Sequence, residues 1–168
     1  MPDRPFALSR AGMRHLLPKP VGRAALRVAH RLRHHWRRIA KPQLHAITVV
    51  LHDEAGRVLF IRHSYGPRGW TLPGGGVTRS EDPADAARRE MHEELGVRLG
   101  ELDLLGTLTE TVSGAPQTAH VFGARLDEEP RPDGREVIEA RFFSRDEVPG
   151  PLSELTLRRL ASIGDLRG

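Results

Sequence analysis

Residues 75–97 read GGVTRSEDPADAARREMHEELGV, and no other stretch of the chain carries as much structural information. The pattern predicts a helix over residues 83–95. Asp82 has the short acidic side chain that is favoured at an N-cap, and Pro83 suits the first helical position, where no backbone donor is needed. Gly96 suits the left-handed position that closes a helix. The stretch is therefore predicted to be a loop followed by a capped helix.

The predicted helix carries three glutamates on one side. Glu90, Glu93 and Glu94 stand at positions i, i+3 and i+4, so they share one face roughly 100° wide. Like charges at this spacing destabilise a helix by about 0.2–0.5 kcal/mol per pair. Arg89 offsets part of this repulsion, and a divalent cation such as Mg²⁺, which prefers carboxylate oxygens and water, would offset more. The alternative interpretation is a solvated helix face with no ligand.

The segment before the helix favours the first interpretation. Residues 73–76 read Pro-Gly-Gly-Gly, which predicts a loop. Glycine lets backbone approach a ligand closely, because it has no Cβ. Such a loop beside a carboxylate face is suited to holding a metal ion and a phosphate together.

Taken with the upstream Trp70-Thr71-Leu72-Pro73-Gly74, the quoted stretch resembles the Nudix hydrolase family. Every defined position of a Nudix box is filled here, in the order Gly75, Glu81, Arg89, Glu90, Met91, Glu93, Glu94, Gly96 and Val97. The resemblance in motif and in element order covers about residues 43–163. It implies an α/β fold, an α/β/α sandwich with a mixed sheet, and hydrolysis of a diphosphate linkage with Mg²⁺, or Mn²⁺ as the alternative ion.

The resemblance also implies roles for the box residues. Glu93 and Glu94 would be the principal metal ligands, and Glu90 would be a further ligand or the base that activates water. The backbone carbonyl of Gly75, or that of its neighbour Gly74, would add a ligand. Residues 74–76 would also contact substrate phosphate.

Arg89 would act less directly. It would pair with a box glutamate, Glu81 in particular, and so orient the carboxylates that hold the metal.

Outside the box the candidates are fewer. Glu136 and Glu139 begin the sequence EVIEARFF, and an acidic residue near this point in the family joins the metal site or acts as the base. Glu136 is favoured because it lies where the loop ends, and an ordinary edge-strand charge is the alternative. Arg62 is a candidate phosphate ligand or a plain surface arginine. Trp70 would stack on a base or, in the favoured interpretation, lie in the core.

The remaining elements follow from periodicity and turn residues. Strands are predicted at residues 44–51, 57–63, 70–72, 102–112, 117–126 and 136–143, with a turn at 113–116 and a terminal helix at 152–163. The chain is thus predicted to hold a Nudix domain at residues 42–168.

Residues 1–41 lie outside the resemblance. They hold eleven Lys and Arg against one acid, Asp3, a net charge of +10, so the other residues carry −6 of the overall +4. Residues 21–40 have an apolar stripe at helical spacing and predict a basic amphipathic helix. Its stripe would pack on the body or on a second subunit, giving a homodimer. Alternatively, this basic arm would bind RNA, anionic lipid or an acidic partner.

Composition excludes several classes of protein. The chain has no cysteine, which excludes disulfides, thiolate zinc sites and a cysteine nucleophile. The sequence contains no apolar run of about 18 residues, so no membrane span is predicted. Its basic start also lacks the apolar region of a signal peptide, so a cytoplasmic location is expected.

Three functions remain open at this stage. The first is an enzyme that hydrolyses a nucleotide sugar, a nucleoside triphosphate or a dinucleoside polyphosphate. The second is a module that senses a nucleotide without cleaving it. The third is an RNA-directed pyrophosphohydrolase guided by the basic arm, and its RNA binding would be sensitive to salt.

Overall fold

The computed structural model describes residues 44–66 and 69–163, so the predicted basic arm and its helix at 21–40 lie outside the described residues. The strands are β1 (Leu44–His52), β2 (Val58–His63), β3 (Gly74–Gly76), β4 (Asp103–Val112), β5 (Ala115–Arg125) and β6 (Val137–Phe143). The helices are α1 (Pro83–Leu95) and α2 (Glu154–Ser162), with a short 3-10 turn at Arg145–Glu147. The described part of the chain contains no helix of the length and apolarity that crossing a bilayer requires.

The six strands form one mixed sheet in the order β4-β5-β1-β2-β6, and β3 pairs with β1. Strands β1 and β5 are parallel along their length, from Leu44 opposite Gln117 to His52 opposite Arg125. The other pairs are antiparallel. The sheet is therefore mixed, as predicted.

Strands β1 and β2 form a hairpin that opens away from its turn. They pair at His52 and Val58, and Asp53 organises the turn by accepting hydrogen bonds from the backbone N–H groups of Ala55 and Arg57 at 3.0 and 2.8 Å. Further along, residues 71–76 fill the space between the two strands. Diverging strands expose backbone donors and acceptors on their inner edges, and the inserted segment satisfies them.

The prediction of a loop at residues 73–76 was therefore wrong for Gly74–Gly76, which form β3 against β1. The predicted strand at 70–72 consists instead of isolated bridges, from Thr71 to Ile61 and from Trp70 to Leu152. Glycine reads as loop from sequence because its side chain gives no strand signal. Here glycine is required, because a Cβ on Gly74 would lie 2.3 Å from the Ile47 carbonyl oxygen.

The two helices cover opposite faces of the sheet, which confirms the sandwich. Alternate residues of β1 point to opposite sides, so Val49 packs with the α1 residues and Val50 packs with Leu160 of α2. The α1 core also contains Met91 and Leu95, both fully buried. The carboxylate helix is thus fixed by apolar contacts on the face adjacent to its glutamates.

The ends of α1 have the predicted capping residues. The Asp82 side chain accepts a hydrogen bond from the Ala84 N–H at 2.8 Å, and Pro83 occupies the first turn. Gly96 adopts φ 68°, a left-handed conformation, and its N–H bonds to the His92 carbonyl. An N-cap of this kind contributes about 1 kcal/mol.

The other predicted elements are present with ends shifted by a few residues. Strands β4 and β5 meet at Ser113 and Gly114, which have φ values of 55° and 78°. Two consecutive left-handed residues make the tight hairpin turn whose twist matches the strands. The turn predicted over four residues is therefore shorter, and Ala115 and Pro116 belong to β5.

Candidate functional site

Strand β3 lies against the second half of α1, and the contact depends on glycine. A Cβ on Gly75 would lie 2.3 Å from the Glu90 carboxyl carbon. A distance below 3.0 Å forces something to move, so a side chain at this position would push the carboxylate away. The glycines that were predicted to contact phosphate thus also let the helix glutamates approach the sheet.

The two neighbouring glycines face opposite ways. In the antiparallel pairing of β1 with β3, Val49 donates to the Pro73 carbonyl and Val77 donates to the His45 carbonyl. Hydrogen-bonded and non-hydrogen-bonded pairs alternate along such a ladder, so Ile47 and Gly75, midway between these two pairs, also form a hydrogen-bonded pair. Gly74 points its backbone groups away from β1, and its N–H bonds to Glu94. The carbonyl free to add a ligand beside the glutamates is therefore that of Gly74, rather than that of Gly75.

Glu94 is the most deeply buried of the three box glutamates, with 4% of its surface exposed. Burial raises the pKa of its carboxyl well above the ordinary value, and the charges of Glu90 and Glu136 raise it further. Its Oε2 atom is buried and has no hydrogen-bond partner among the described residues. A buried carboxylate with acidic neighbours and an unmet oxygen is a position that a cation would stabilise.

Glu90 and Glu93 are progressively more open. Burial raises the pKa of Glu90, while its hydrogen bond from Arg89 acts in the opposite direction. The Glu93 side chain is 28% exposed, and its Oε1 lies 3.9 Å from an Arg89 nitrogen. The three glutamates therefore run from the sheet out to solvent along one side of α1.

Arg89 connects the glutamates of the box through hydrogen bonds. Its Nε donates to Glu81 Oε1 at 2.7 Å and one terminal nitrogen donates to Glu81 Oε2 at 3.0 Å, which is the predicted ion pair. Its other contacts are Glu90 Oε1 at 2.6 Å and the Gly76 carbonyl at 3.0 Å. The Arg89 hydrogen bonds lower the pKa of Glu81 to about 2. Arg89 thus ties the start of the box to the helix and to β3.

The structure separates the two acidic candidates near β6. The charge of Glu136 raises the pKa of both Glu90 and Glu94, and its loop is bonded to α1, where the Asp133 N–H donates to the Glu94 carbonyl at 3.1 Å. Glu139 pairs instead with Arg62 at 3.1 Å and with Arg141 at 2.8 Å. Of the two, Glu136 is the one that lies beside the box.

Arg62 and Trp70 belong to the other face of the sheet. The Arg62 guanidinium lies 5.8 Å from the centre of the Trp70 ring, and Trp70 packs edge-on against Phe143 with ring centres 5.0 Å apart. Trp70 contributes to the core beneath α2, as the favoured interpretation held. The structure does not bring Arg62 into contact with a box glutamate; its contacts in the described residues are Glu139 and Trp70.

Three further residues adjoin Glu136 and were not found from sequence. The Tyr65 hydroxyl donates a hydrogen bond to Glu136, and the His63 ring lies 5.5 Å from the Tyr65 ring. Burial lowers the pKa of His63, and the Glu136 charge opposes that shift. Asp133 accepts the backbone N–H of Glu136 at 2.9 Å. Tyr65 is the only tyrosine in the chain, but no spacing rule connects it with a residue 71 positions away.

The donor set fits a divalent cation of the Mg²⁺ class. Such ions take carboxylate oxygens, backbone carbonyls and water, and the site offers each protein donor of that kind in Glu93, Glu94 and Gly74. The orphaned Glu94 Oε2 is the specific observation behind the fit. Within residues 44–66 and 69–163, no three acidic or histidine side chains already converge as a finished metal cage.

Comparisons with known proteins identify a matching family model and several relatives in sequence. The NUDIX domain family model matches residues 42–161. A MutT-like protein of Streptomyces ambofaciens is 31% identical over 129 residues, which are 76% of this chain and 82% of that protein. An RNA pyrophosphohydrolase of Acidiphilium cryptum is 37% identical over 92 residues, and one of Saccharophagus degradans is 35% identical over 60 residues. The matches cover 51% and 36% of this chain, and they span only 55% and 35% of the lengths of those two relatives.

Solved structures show the same architecture. The MutT NUDIX hydrolase of Burkholderia pseudomallei superposes with a TM-score of 0.63 at 28% identity, over 70% of this chain and 95% of that one. The NUDIX domain of Shewanella oneidensis NrtR, solved with ADP ribose, superposes with a TM-score of 0.63 at 19% identity, over 79% and 94%. The second likeness concerns the fold alone.

Proposed function

The chain belongs to the Nudix family, and on that premise we propose that it hydrolyses a diphosphate linkage in a nucleotide-like substrate with the help of Mg²⁺. The observation that carries the proposal is Glu94, a carboxylate buried among other acids with an unpaired oxygen. Such a group is costly unless a cation accompanies it. A cation that binds there lies next to the glycine segment and can also hold phosphate.

The residues divide the chemistry among themselves. Glu93, Glu94 and the Gly74 carbonyl would hold Mg²⁺, which neutralises phosphate oxygens and lowers the pKa of a water molecule. Glu136 or Glu90 would take the proton of the attacking water, and a positioned carboxylate of this kind typically adds about 10²–10⁴ in rate.

The overall reaction balances without a further reagent. The water oxygen forms a bond to one phosphorus, and the bond from that phosphorus to the bridging oxygen breaks. The proton passes to the carboxylate, and each product leaves with a phosphate group. From a nucleoside triphosphate the products would be a nucleoside monophosphate and pyrophosphate.

The proposed reaction fits several substrate classes. Relatives named RNA pyrophosphohydrolase favour RNA as one candidate substrate. The box residues do not select one diphosphate compound, so a nucleotide sugar stays among the candidates. An RNA-directed activity would use the eleven basic side chains of residues 1–41 to contact the phosphate backbone.

The proposal is tested by the release of phosphomonoester or pyrophosphate products from a panel of ADP-ribose, nucleoside triphosphates, dinucleoside polyphosphates and 5′-triphosphorylated RNA. The proteins are wild type, Glu93→Gln and the control Glu101→Gln, each with Mg²⁺ and with chelator. Glu93 is suitable because it is partly exposed, so its replacement leaves the core intact. Glu101 is exposed and lies outside the box. The expected result is Mg²⁺-dependent turnover that falls by orders of magnitude in Glu93→Gln and is unchanged in Glu101→Gln.

Two other results would redirect the proposal. Equal turnover in all three proteins would exclude the box as the site. Tight nucleotide binding by wild type without turnover on any member of the panel would favour a sensing module on the Nudix scaffold.

A further inference from the structure

Glu136 differs from Glu90, Glu93 and Glu94 because it lies on a loop and not on α1. Residues 131–136 belong to the connection between β5 and β6, and they are hydrogen-bonded to the end of α1. The Arg131 N–H donates to the Leu95 carbonyl at 2.7 Å, and the Asp133 N–H donates to the Glu94 carbonyl at 3.1 Å. The loop therefore follows the helix that carries the box glutamates.

Asp133 organises the backbone around Glu136. Its Oδ1 accepts hydrogen bonds from three successive N–H groups, those of Arg135 at 3.0 Å, Glu136 at 2.9 Å and Val137 at 2.9 Å. Its Oδ2 also accepts from the Glu136 N–H at 3.2 Å. A carboxylate used in this way closes a tight turn, as Asx turns do. Asp133 is therefore committed to the backbone, although it is acidic and close to the site.

Tyr65 reaches Glu136 from the other side, at the end of β2. Its hydroxyl donates to Glu136 Oε1, while the backbone N–H of Ser64 donates to the Glu136 carbonyl at 3.0 Å. The Ser64 hydroxyl donates to the Arg135 carbonyl at 2.5 Å. The end of β2 and the 131–136 loop are thus joined through both backbone and side chain at this residue.

We propose that Tyr65 and Asp133 are positioning residues that together hold the Glu136 carboxylate toward the box glutamates. Asp133 fixes the direction in which the Cα–Cβ bond leaves the backbone. Tyr65 limits rotation of the carboxylate by donating a hydrogen bond to its Oε1 atom. The inference rests on the proposed function, in which Glu136 serves as a ligand or as the base.

The physical need for such support is specific to a loop. Glu90 and Glu94 are held by a capped helix, whereas a glutamate on an unsupported loop samples several rotamers. Small misplacement of a reacting group costs large factors in rate, because proximity supplies much of the acceleration. Partners that orient groups at a metal site contribute about 10–100-fold in metal affinity or activity.

The test is a double-mutant cycle between Tyr65 and Glu136. Tyr65→Phe removes the hydroxyl and keeps the ring beside His63. It is expected to lower kcat about tenfold in the wild-type background with KM changed less than twofold. In the Glu136→Ala background the same change is expected to alter kcat less than twofold, because Tyr65 acts through Glu136.

Two controls accompany the cycle. Ser144→Ala removes another hydroxyl that donates to a glutamate, Glu147 at 3.3 Å, far from the site along the chain, and it is expected to leave kcat unchanged. Asp133→Ala is expected to lower kcat, and Asp133→Asn to restore most of it, since the Asn oxygen still accepts backbone N–H groups. Equal losses from Tyr65→Phe in both backgrounds, or no rescue by Asn, would overturn the proposal.

A second readout needs no turnover. In metal-free protein, Tyr65→Phe is expected to lower the denaturation midpoint in the wild-type background and to leave it unchanged in the Glu136→Ala background. If wild type hydrolyses nothing on the panel, the proposed function fails, while this cycle still decides whether Tyr65 holds Glu136. Additive effects on the midpoint would show that it does not.

Discussion

Glu94 and Glu110 are both buried carboxylates, but they lie on opposite faces of the sheet and have opposite surroundings. The Glu110 side chain is 5% exposed, and it accepts from Arg159 of α2 at 2.5 Å and from Gln117 at 2.7 Å. Arg159 also donates to Thr48. Glu94 has Glu90, Glu136 and Asp133 as its charged neighbours.

The surroundings of Glu110 are those of a structural charge, and the surroundings of Glu94 are those of a functional one. Each residue leaves one carboxylate oxygen without a hydrogen-bond partner in the described ranges, so an unpaired oxygen by itself does not distinguish them. The difference is the cation: within residues 44–66 and 69–163, Arg159 pairs with Glu110, and no basic side chain pairs with Glu94. A buried acid among acids is stable only if something else brings the positive charge.

The largest expected effect is on turnover at the α1 face. Glu94→Gln keeps the size of the side chain and the bond from Gly74, but it removes the charge that would attract the cation. Turnover is expected to fall by about 10²–10⁴, measured as kcat with saturating Mg²⁺. Turnover within threefold of wild type would show that Glu94 is a second structural acid, comparable to Glu110.

The next effect is on stability at the α2 face. Arg159→Met leaves Glu110 buried without its cation, and breaking a buried pair in this way costs about 3–5 kcal/mol in the free energy of unfolding. The double variant Arg159→Met, Glu110→Leu is expected to recover most of that loss, because no uncompensated charge remains. Urea denaturation measures both. A single variant as stable as wild type would mean that Glu110 does not need Arg159.

A smaller effect on activity is expected from the residue that links the box together. Arg89→Lys keeps the charge and loses the fork that reaches Glu81, Glu90 and the Gly76 carbonyl together. Turnover or metal affinity is expected to fall about 10–100-fold. Steady-state kinetics over a range of Mg²⁺ concentrations checks it, and Arg88→Lys on the exposed side of α1 is the matched control. Equal behaviour of the two variants would remove Arg89 from the site.

The smallest effect is the pH dependence of stability in metal-free protein. The pKa of Glu94 is raised in the folded state, so its contribution to stability is fully present below the unfolded value of 4.5 and is lost as pH rises through the folded value. Glu81 behaves oppositely: its contribution is present above 4.5 and is lost as pH falls toward about 2. Denaturation in chelator is expected to show stability declining above pH 4.5, with a smaller decline in Glu94→Gln. Parallel curves for the two proteins would contradict this account.

Much of the fold was predictable because its signals are local. Helix α1 has an N-cap, a first-turn proline and a closing glycine within 15 residues, and each agrees with the others. The hairpins have turn residues between β-branched runs. Strand β3 could not be predicted in this way, because it exists through its pairing with β1, and three glycines have no strand preference of their own.

The residues of the site could be predicted from the sequence, but how deeply each one is buried could not. Helical spacing puts Glu93 and Glu94 on one face, yet it does not say that Glu94 is buried and Glu93 is open. That difference depends on β3 pressing against α1 at Gly75. Glu136 was favoured over Glu139 because it lies where the loop ends, and the strand register adds a reason that the sequence does not give, since Glu139 lies opposite Arg62. Tyr65 acts across 71 positions, for which the sequence has no periodic signal. Asp133 acts through a local turn, and its relevance to the site depends on the fold that brings this turn against α1.

The central claim is that the acidic cluster around Glu94 is completed by a divalent cation. Titration of wild type, Glu94→Gln and Glu101→Gln with Mn²⁺ tests this claim without any substrate. Binding is measured as the decrease in the electron paramagnetic resonance signal of free Mn²⁺. We expect one strong Mn²⁺ site in wild type and in Glu101→Gln, and at least about tenfold weaker binding in Glu94→Gln. Equal Mn²⁺ affinity in all three proteins would contradict it.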